Sequence, residues 1–367
     1  MPTPTIPAGN LFMNATLWTG DGATSPRTIT NGVAGQSFQP DLVWSKDRTS
    51  AYNHQLFDSV RGTGSSKNLM SNDTAVEGTN ASSFGFLSAF NSNGFSLTKG
   101  TDPGNEYLWV GNTNDNYVAW QWKAGGTAVS NTAGTISSQV SANTTSGFSI
   151  VTYTGNATGG ATVGHGCQVN SIATAPSMII LKSRSLSSNW YVYHSGLTSV
   201  AYQIYLNLTL GEDNAVTTAF NSAAPGATTF ALPGTGYGSN NSGATYVAYC
   251  FAQVAGYSAF GSYTGNGSSD GPFVYLGFRP KFVMIKRTDS SDDWILLDTS
   301  RSTYNVSSLT LYANGSYAED SNVTNRSLDF LSNGFKIRSS GVYINASGGN
   351  FIYMAFAENP FKYANAR

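Results

Sequence analysis

Long apolar runs are missing from this chain. Nowhere do about 18 consecutive residues read as hydrophobic, which excludes a membrane-spanning helix. Charge is scarce as well. Only 11% of the residues are Asp, Glu, Lys or Arg, and the formal net charge is −1. Without a basic face, nothing steers the protein toward nucleic acid or an anionic membrane. Cysteine is nearly absent: Cys167 and Cys250 are the only two in 367 residues, too few for a disulfide framework. Cys250 lies in the apolar run TYVAYCFAQV and reads as a small core residue. Neither cysteine has metal-ligand spacing around it, and His165 with Cys167 gives two ligands where a site needs more, so we expect no metal and no cofactor. The opening MPTPTIPAGN has neither a basic stretch nor an apolar one, so it does not read as a secretory signal. Its three prolines predict an extended arm over residues 1–9. Capped, 3.6-periodic helical segments are also hard to find. No Walker loop occurs. The glycine-rich GTGYGSNNSG at 234–243 is followed by no helix that could hold a phosphate.

What the chain has instead is glycine, small polar residues and rings. There are 40 Gly, 20 Tyr and 20 Phe, with the remaining polarity supplied by Asn, Ser and Thr. That is the composition of turn-rich β structure with aromatic cores. One sentence is written three times. Pro-x-x-apolar-x-x-Lys runs from Pro40 to Lys46, from Pro176 to Lys182 and from Pro280 to Lys286. Eight residues after each lysine comes a ring, His54, Trp190 or Trp294; twelve after comes Asp58, His194 or Asp298. Upstream lie the turns Trp18-Thr19-Gly20, Tyr153-Thr154-Gly155 and Tyr263-Thr264-Gly265. Downstream lie the endings NYVAWQW, TYVAYCFA and NFIYMAFA. The first and third copies also share Asn-Gly-Phe, which the second lacks. Landmarks in fixed order mark internal repeats. The expected fold is all-β, with three tandem β-sandwich, jelly-roll-like modules over residues 10–126, 147–256 and 257–367. Residues 127–146 are small and polar with no aromatic, and read as a linker.

Candidate chemistry is thin. Asp58, Asp298, Glu77 and Glu319 are carboxylates on β structure, the material of a glycoside hydrolase. A catalytic acid, however, needs one special environment, whereas Asp58 and Asp298 recur at one repeat position with Arg61 and Arg301 three residues on. Asp-x-x-Arg at a strand end reads as a structural ion pair. The second copy breaks it with His194 and Leu197. His54 stands where the other copies carry Trp and reads as a packed ring. No strand-turn-helix nucleophile motif is present, so the chain is not expected to be an enzyme. Trp190 and Trp294 open strands at equivalent places and read as core or interface. Trp109, with Tyr107 in NEYLWVGNTND, has no counterpart in the repeats, and is the candidate for an exposed ring that binds a ligand. The repeated Lys46, Lys182 and Lys286 read as structural.

The wording itself resembles a known group. PDLVWSKDR, HQLFDSVRG, NSNGF and NYVAWQWKAGG resemble modules of marine bacteriophage virion structural proteins. APSMIILKSR, NWYVYHSGL and YVAYCFA, followed by FGSYTGNGSSDGPFVYLGFRPKFVMIKR and IYMAFAENPFKYANAR, are similar to the C-terminal part of the same proteins. The resemblance implies a virion location and a tail-fibre or receptor-binding role. It also implies other virion proteins as partners, a host surface glycan or receptor as ligand, and assembly as a homotrimer. A head decoration (cement) protein stays open as a second reading, because the chain is short and begins almost directly with a module. A polysaccharide-degrading enzyme stays open as a third.

Overall fold

The structure is a computed structural model that describes residues 9–32, 36–214 and 218–358. The arm expected over residues 1–9 lies, but for Gly9, outside the described residues. The fold is all-β and every named strand pairing is antiparallel. Each copy of the repeat builds a principal sheet in one strand order: opening strand, closing strand, lysine strand, hairpin partner. In the first copy these are Met13–Thr19, Asn116–Trp122, Leu42–Asp47 and Gln55–Asp58. In the second they are Phe148–Thr154, Thr245–Phe251, Met178–Ser183 and Trp190–His194. In the third they are Ser258–Thr264, Asn350–Ala357, Pro280–Arg287 and Ile295–Asp298.

Register is conserved across the copies. Lys46 faces Val118, Lys182 faces Val247 and Lys286 faces Ile352. The ring of each aromatic-Thr-Gly turn lies opposite the first ring of the closing strand. Trp18 stacks on Tyr117 at 5.2 Å, Tyr153 on Tyr246 at 5.0 Å and Tyr263 on Phe351 at 5.0 Å. Directly opposed rings of this kind are strong cross-strand pairs, and they explain why the two landmarks travel together in the sequence.

Alternation along the strands sends side chains to two different cores. In Asn116–Trp122, Tyr117 and Ala119 join an outer cluster with Ile29, Phe95 and Leu97. Val118, Trp120 and Trp122 join another cluster on the opposite face. The outer face of the first principal sheet is covered by the three-stranded sheet of Arg27–Thr30, Gly94–Thr98 and Phe86–Asn91. Corresponding small sheets join Thr162–Gly164 to Thr229–Ala231 and Phe273–Tyr275 to Gly334–Ile337 and Leu328–Leu331. The inner faces do not have separate cores. Trp44, Trp120 and Trp122 share one cluster with Ile150, Ile180 and Phe251 of the second copy and Phe282, Met284 and Phe356 of the third. Trp122, Phe251 and Phe356, the rings near the ends of the three closing strands, meet at 5.7 to 6.1 Å.

Residues 127–146 correct the sequence reading. They are not a linker: Val129–Asn131 and Ser138–Ala142 form a hairpin that extends the second principal sheet beside Phe148–Thr154. Ile136, Ser138, Val140 and Ser141 are buried by it. A run of small polar residues pairs here as an edge hairpin, with Ile136 and Val140 as its apolar anchors and no aromatic to announce it.

Candidate functional site: the junctions between the repeats

The repeated ring is the contact that joins one copy to the next. The Trp190 indole N–H donates to the Met70 carbonyl of the first copy at 2.8 Å. The Trp294 indole N–H donates to the Tyr205 carbonyl of the second at 2.9 Å. At His54 the Trp44 indole N–H occupies Nδ1, so Nε2 carries the proton and donates to the Tyr312 carbonyl of the third copy at 2.8 Å. The second copy therefore holds the first, the third holds the second and the first holds the third, closing a ring of three. Histidine replaces tryptophan at one position because either ring presents an N–H at that reach. Each ring residue's backbone N–H is taken in turn by an asparagine: Asn72 at 3.0 Å, Asn207 at 2.8 Å and Asn314 at 2.7 Å. The sequence reading missed these asparagines. They follow the ring after loops of unequal length, so no fixed spacing announces them.

The three lysines point into the same junctions. All are buried. Lys182 Nζ donates to the carbonyls of Ser183 at 2.8 Å and Thr74 at 3.2 Å. Lys286 Nζ donates to those of Asp292, Arg287 and Thr209 at 2.8, 2.9 and 3.0 Å. Lys46 donates to the carbonyls of Asp47 and Ser50. Desolvation lowers each ammonium to about 8. Each satisfies carbonyls of its own Ser/Asp-rich bend, and Lys182 and Lys286 also reach one of the preceding copy, Thr74 and Thr209.

The carboxylates considered for catalysis are held by guanidinium groups. Asp58 pairs with Arg61, and Asp298 with Arg301 at 2.6 Å, all four side chains fully buried. Arg61 also meets Glu77 at 2.8 Å, and Arg184 of the second copy meets the same carboxylate at 2.8 Å. Glu319 is shared in the same way by Arg301 and by Arg48 of the first copy, the latter at 2.7 Å. The chain Asp–Arg–Glu–Arg thus crosses two junctions. At Asp298 burial opposes the charge, but Arg301 and the Trp120 indole N–H at 2.9 Å bring the carboxyl below its usual range. At the third junction Glu212 occupies the corresponding place, its backbone N–H bonded to Thr288, while its carboxylate holds Thr198. His194 there accepts the Gly196 N–H at Nδ1 and donates from Nε2 to Tyr353 at 3.1 Å; burial depresses its pKa to about 4.

Other sequence candidates fall elsewhere. Trp109 is not an exposed ring: it is 6% exposed and packs edge-on against Phe84 at 5.1 Å. The polar residues around it form the turn, while the indole fills the outer core of the first copy. Tyr107 is half-buried there, its hydroxyl on the Ala23 carbonyl at 3.1 Å and the Lys99 ammonium over its ring. His165 accepts the Cys167 backbone N–H at 3.0 Å, and among the described residues no group of three His, Cys, Asp or Glu gathers as a metal site.

Two depressions open beside the junctions. One, of about 350 Å³, lies between Thr74 of the first copy and the bend Leu186–Asn189 of the second, with Tyr191 and Asn241 in its wall. The other, of about 570 Å³, lies where Phe12, Asp41 and Lys123 meet Asn143.

These features define the class: an all-β protein of repeated antiparallel sheets, with the ion pairs Asp58–Arg61 and Asp298–Arg301 buried beside its junctions. Residues 8–360 match the family model described as "Domain of unknown function (DUF7483)", and the chain belongs to that family. Comparison with curated proteins and with solved structures returns no match.

Proposed function

We propose that the chain is a bacteriophage virion structural protein displayed on the particle surface, at the tail, as a fibre or receptor-binding component. The observation that supports this most is the closed ring of repeats. Lys182, Lys286, Asp58, Asp298, Arg61 and Arg301 serve internal junctions and Lys46 holds its own bend, so the buried polar residues build a rigid platform. Variable bends and loops are left at its rim. Loops carried on such a scaffold are where recognition concentrates. The resemblance in wording supplies the particle; other virion proteins are the partners. A homotrimer of whole chains is the assembly we propose, because closed symmetry is the norm for such parts. The second reading, a head decoration protein, draws on the same closed and compact ring. Gold-labelled antibody on purified particles tests both: label at the tail is expected, and label confined to the head overturns the tail assignment. Hundreds of copies per particle would mark a decoration protein.

A further inference from the structure

The depression at the first junction has a chemistry of its own. The lysine hairpin is copied three times, but its bend is not. Between lysine and ring both copies carry an arginine, Arg184 or Arg287, but the third adds Asp289, Asp292 and Asp293, whereas the second adds the uncharged Leu186, Ser187, Ser188 and Asn189. That neutral bend, together with Thr74 from the first copy, forms one wall of the 350 Å³ depression; Tyr191 and Asn241 form another. The volume is at the small end of the range for ligand sites, with room for a sugar unit or a short glycan.

Asn241 supplies the second observation. Its backbone is fully used: the N–H donates to the Tyr246 hydroxyl at 2.9 Å and the carbonyl accepts from Ala244 at 3.1 Å. Its side-chain Oδ1 is buried, yet among the described residues no group donates to it. A buried acceptor left unpaired costs free energy, and a turn of the amide would bring it to the depression that Asn241 lines, where a ligand hydroxyl can donate to it. Tyr191 brings a ring and a hydroxyl to the same wall. It reaches the rim because residue 238 is glycine; a Cβ there would lie 2.0 Å from the Tyr191 hydroxyl oxygen.

We infer that this depression binds a neutral, hydroxyl-rich ligand, a host-surface glycan. An anionic ligand would find no cation in the lining, and an apolar one would leave Asn241 Oδ1 without a partner. A polyol donates to Asn241 Oδ1 and to the oxygens of the Ser187 and Ser188 hydroxyls, whose protons are given to Thr74 and Asn189, and lays its C–H face on Tyr191. Thr74 comes from the first copy and the rest of the lining from the second, so the site is complete only when the first junction is closed.

The inference rests on the surface-display reading above, and its test is independent of it. The purified full chain is titrated with glucose, galactose, N-acetylglucosamine and lactose, and with sialic acid as the anionic control. Binding is followed by saturation-transfer NMR and calorimetry. At least one neutral sugar should saturate the protein in the millimolar range, and Asn241→Ala should weaken it about tenfold, one hydrogen bond's worth. Tyr191→Phe should weaken it less. Among the described residues Asn241 donates and accepts only through its backbone, so the variant's unfolding temperature should match the parent's and report an intact fold. The inference is overturned if no neutral sugar binds at tens of millimolar, if both variants bind as the parent does, or if sialic acid binds more tightly than every neutral sugar. Antibody labelling that places the protein off the virion would overturn the particle assignment and leave the sugar result standing.

Discussion

Replacing Phe251 with alanine asks whether three sheets unfold as one body. Phe251 is 2% exposed and its ring lies 4.7 Å from Phe148, 5.9 Å from Phe356, 6.1 Å from Trp122 and 6.2 Å from Phe260. Those neighbours come from all three copies. Truncating a buried phenylalanine costs about 4 kcal/mol, part from lost transfer free energy and part from the cavity left behind. How that cost shows in a melting temperature depends on the size of the cooperative unit. Unfolding entropy is about 2.1 cal/mol/K per residue, so the whole chain should lose about 5 °C, whereas a free-standing module of about 110 residues would lose about 17 °C. Differential scanning calorimetry separates the cases. A single endotherm moving by about 5 °C is expected. Two or more endotherms, with one shifted by about 17 °C and the rest unmoved, would refute the shared core.

Two further outcomes follow from the junctions. Arg61→Met leaves the Asp58 carboxylate buried without its partner and should cost about 3–5 kcal/mol in urea unfolding. Arg184→Ala, at the partly exposed end of the same chain of charges, should cost about 1 kcal/mol or less; equal costs would show that burial is not what matters. Acidification should load His194. Its folded pKa of about 4 lies below the unfolded value near 6.5, so the unfolded chain binds the extra proton between those values. Stability is therefore unpenalised above about pH 6.5, falls as pH drops toward 4, and levels below it, for a loss of about 3 kcal/mol. The stability difference between the parent and His194→Gln, measured from pH 7.5 to 4, should change by that amount; parallel curves would refute the assignment.

Much of the fold was legible because it is repetitive. Lysine, ring and closing strand recur in order, since each strand must meet the same register partners: Lys46 with Val118, Lys182 with Val247, Lys286 with Ile352. The Asp-x-x-Arg pairs were legible for a local reason. An aspartate at a strand end and an arginine three residues on can meet without help from distant chain, as Asp298 and Arg301 do. Trp109 was misread because the turn residues around it speak for the backbone, while the burial of its indole depends on Phe84, 25 positions earlier in the chain. The Glu77 and Glu319 roles were hidden because their second arginines, Arg184 and Arg48, belong to other copies.

By itself the sequence determined the strands, the order in which they recur and the alternation that gives each principal sheet two apolar faces, since these depend on residues near one another and on a period of two. Only the tertiary structure decided where the inner faces go. Trp122, Phe251 and Phe356 could each have closed a separate core, but an apolar face buried against two others removes more surface from water than one closed alone. That choice carries Trp190 to Met70, Trp294 to Tyr205 and His54 to Tyr312. It also sets Thr74 against the neutral bend at Ser187, where one wall of the first-junction depression forms from residues that the sequence keeps more than a hundred positions apart.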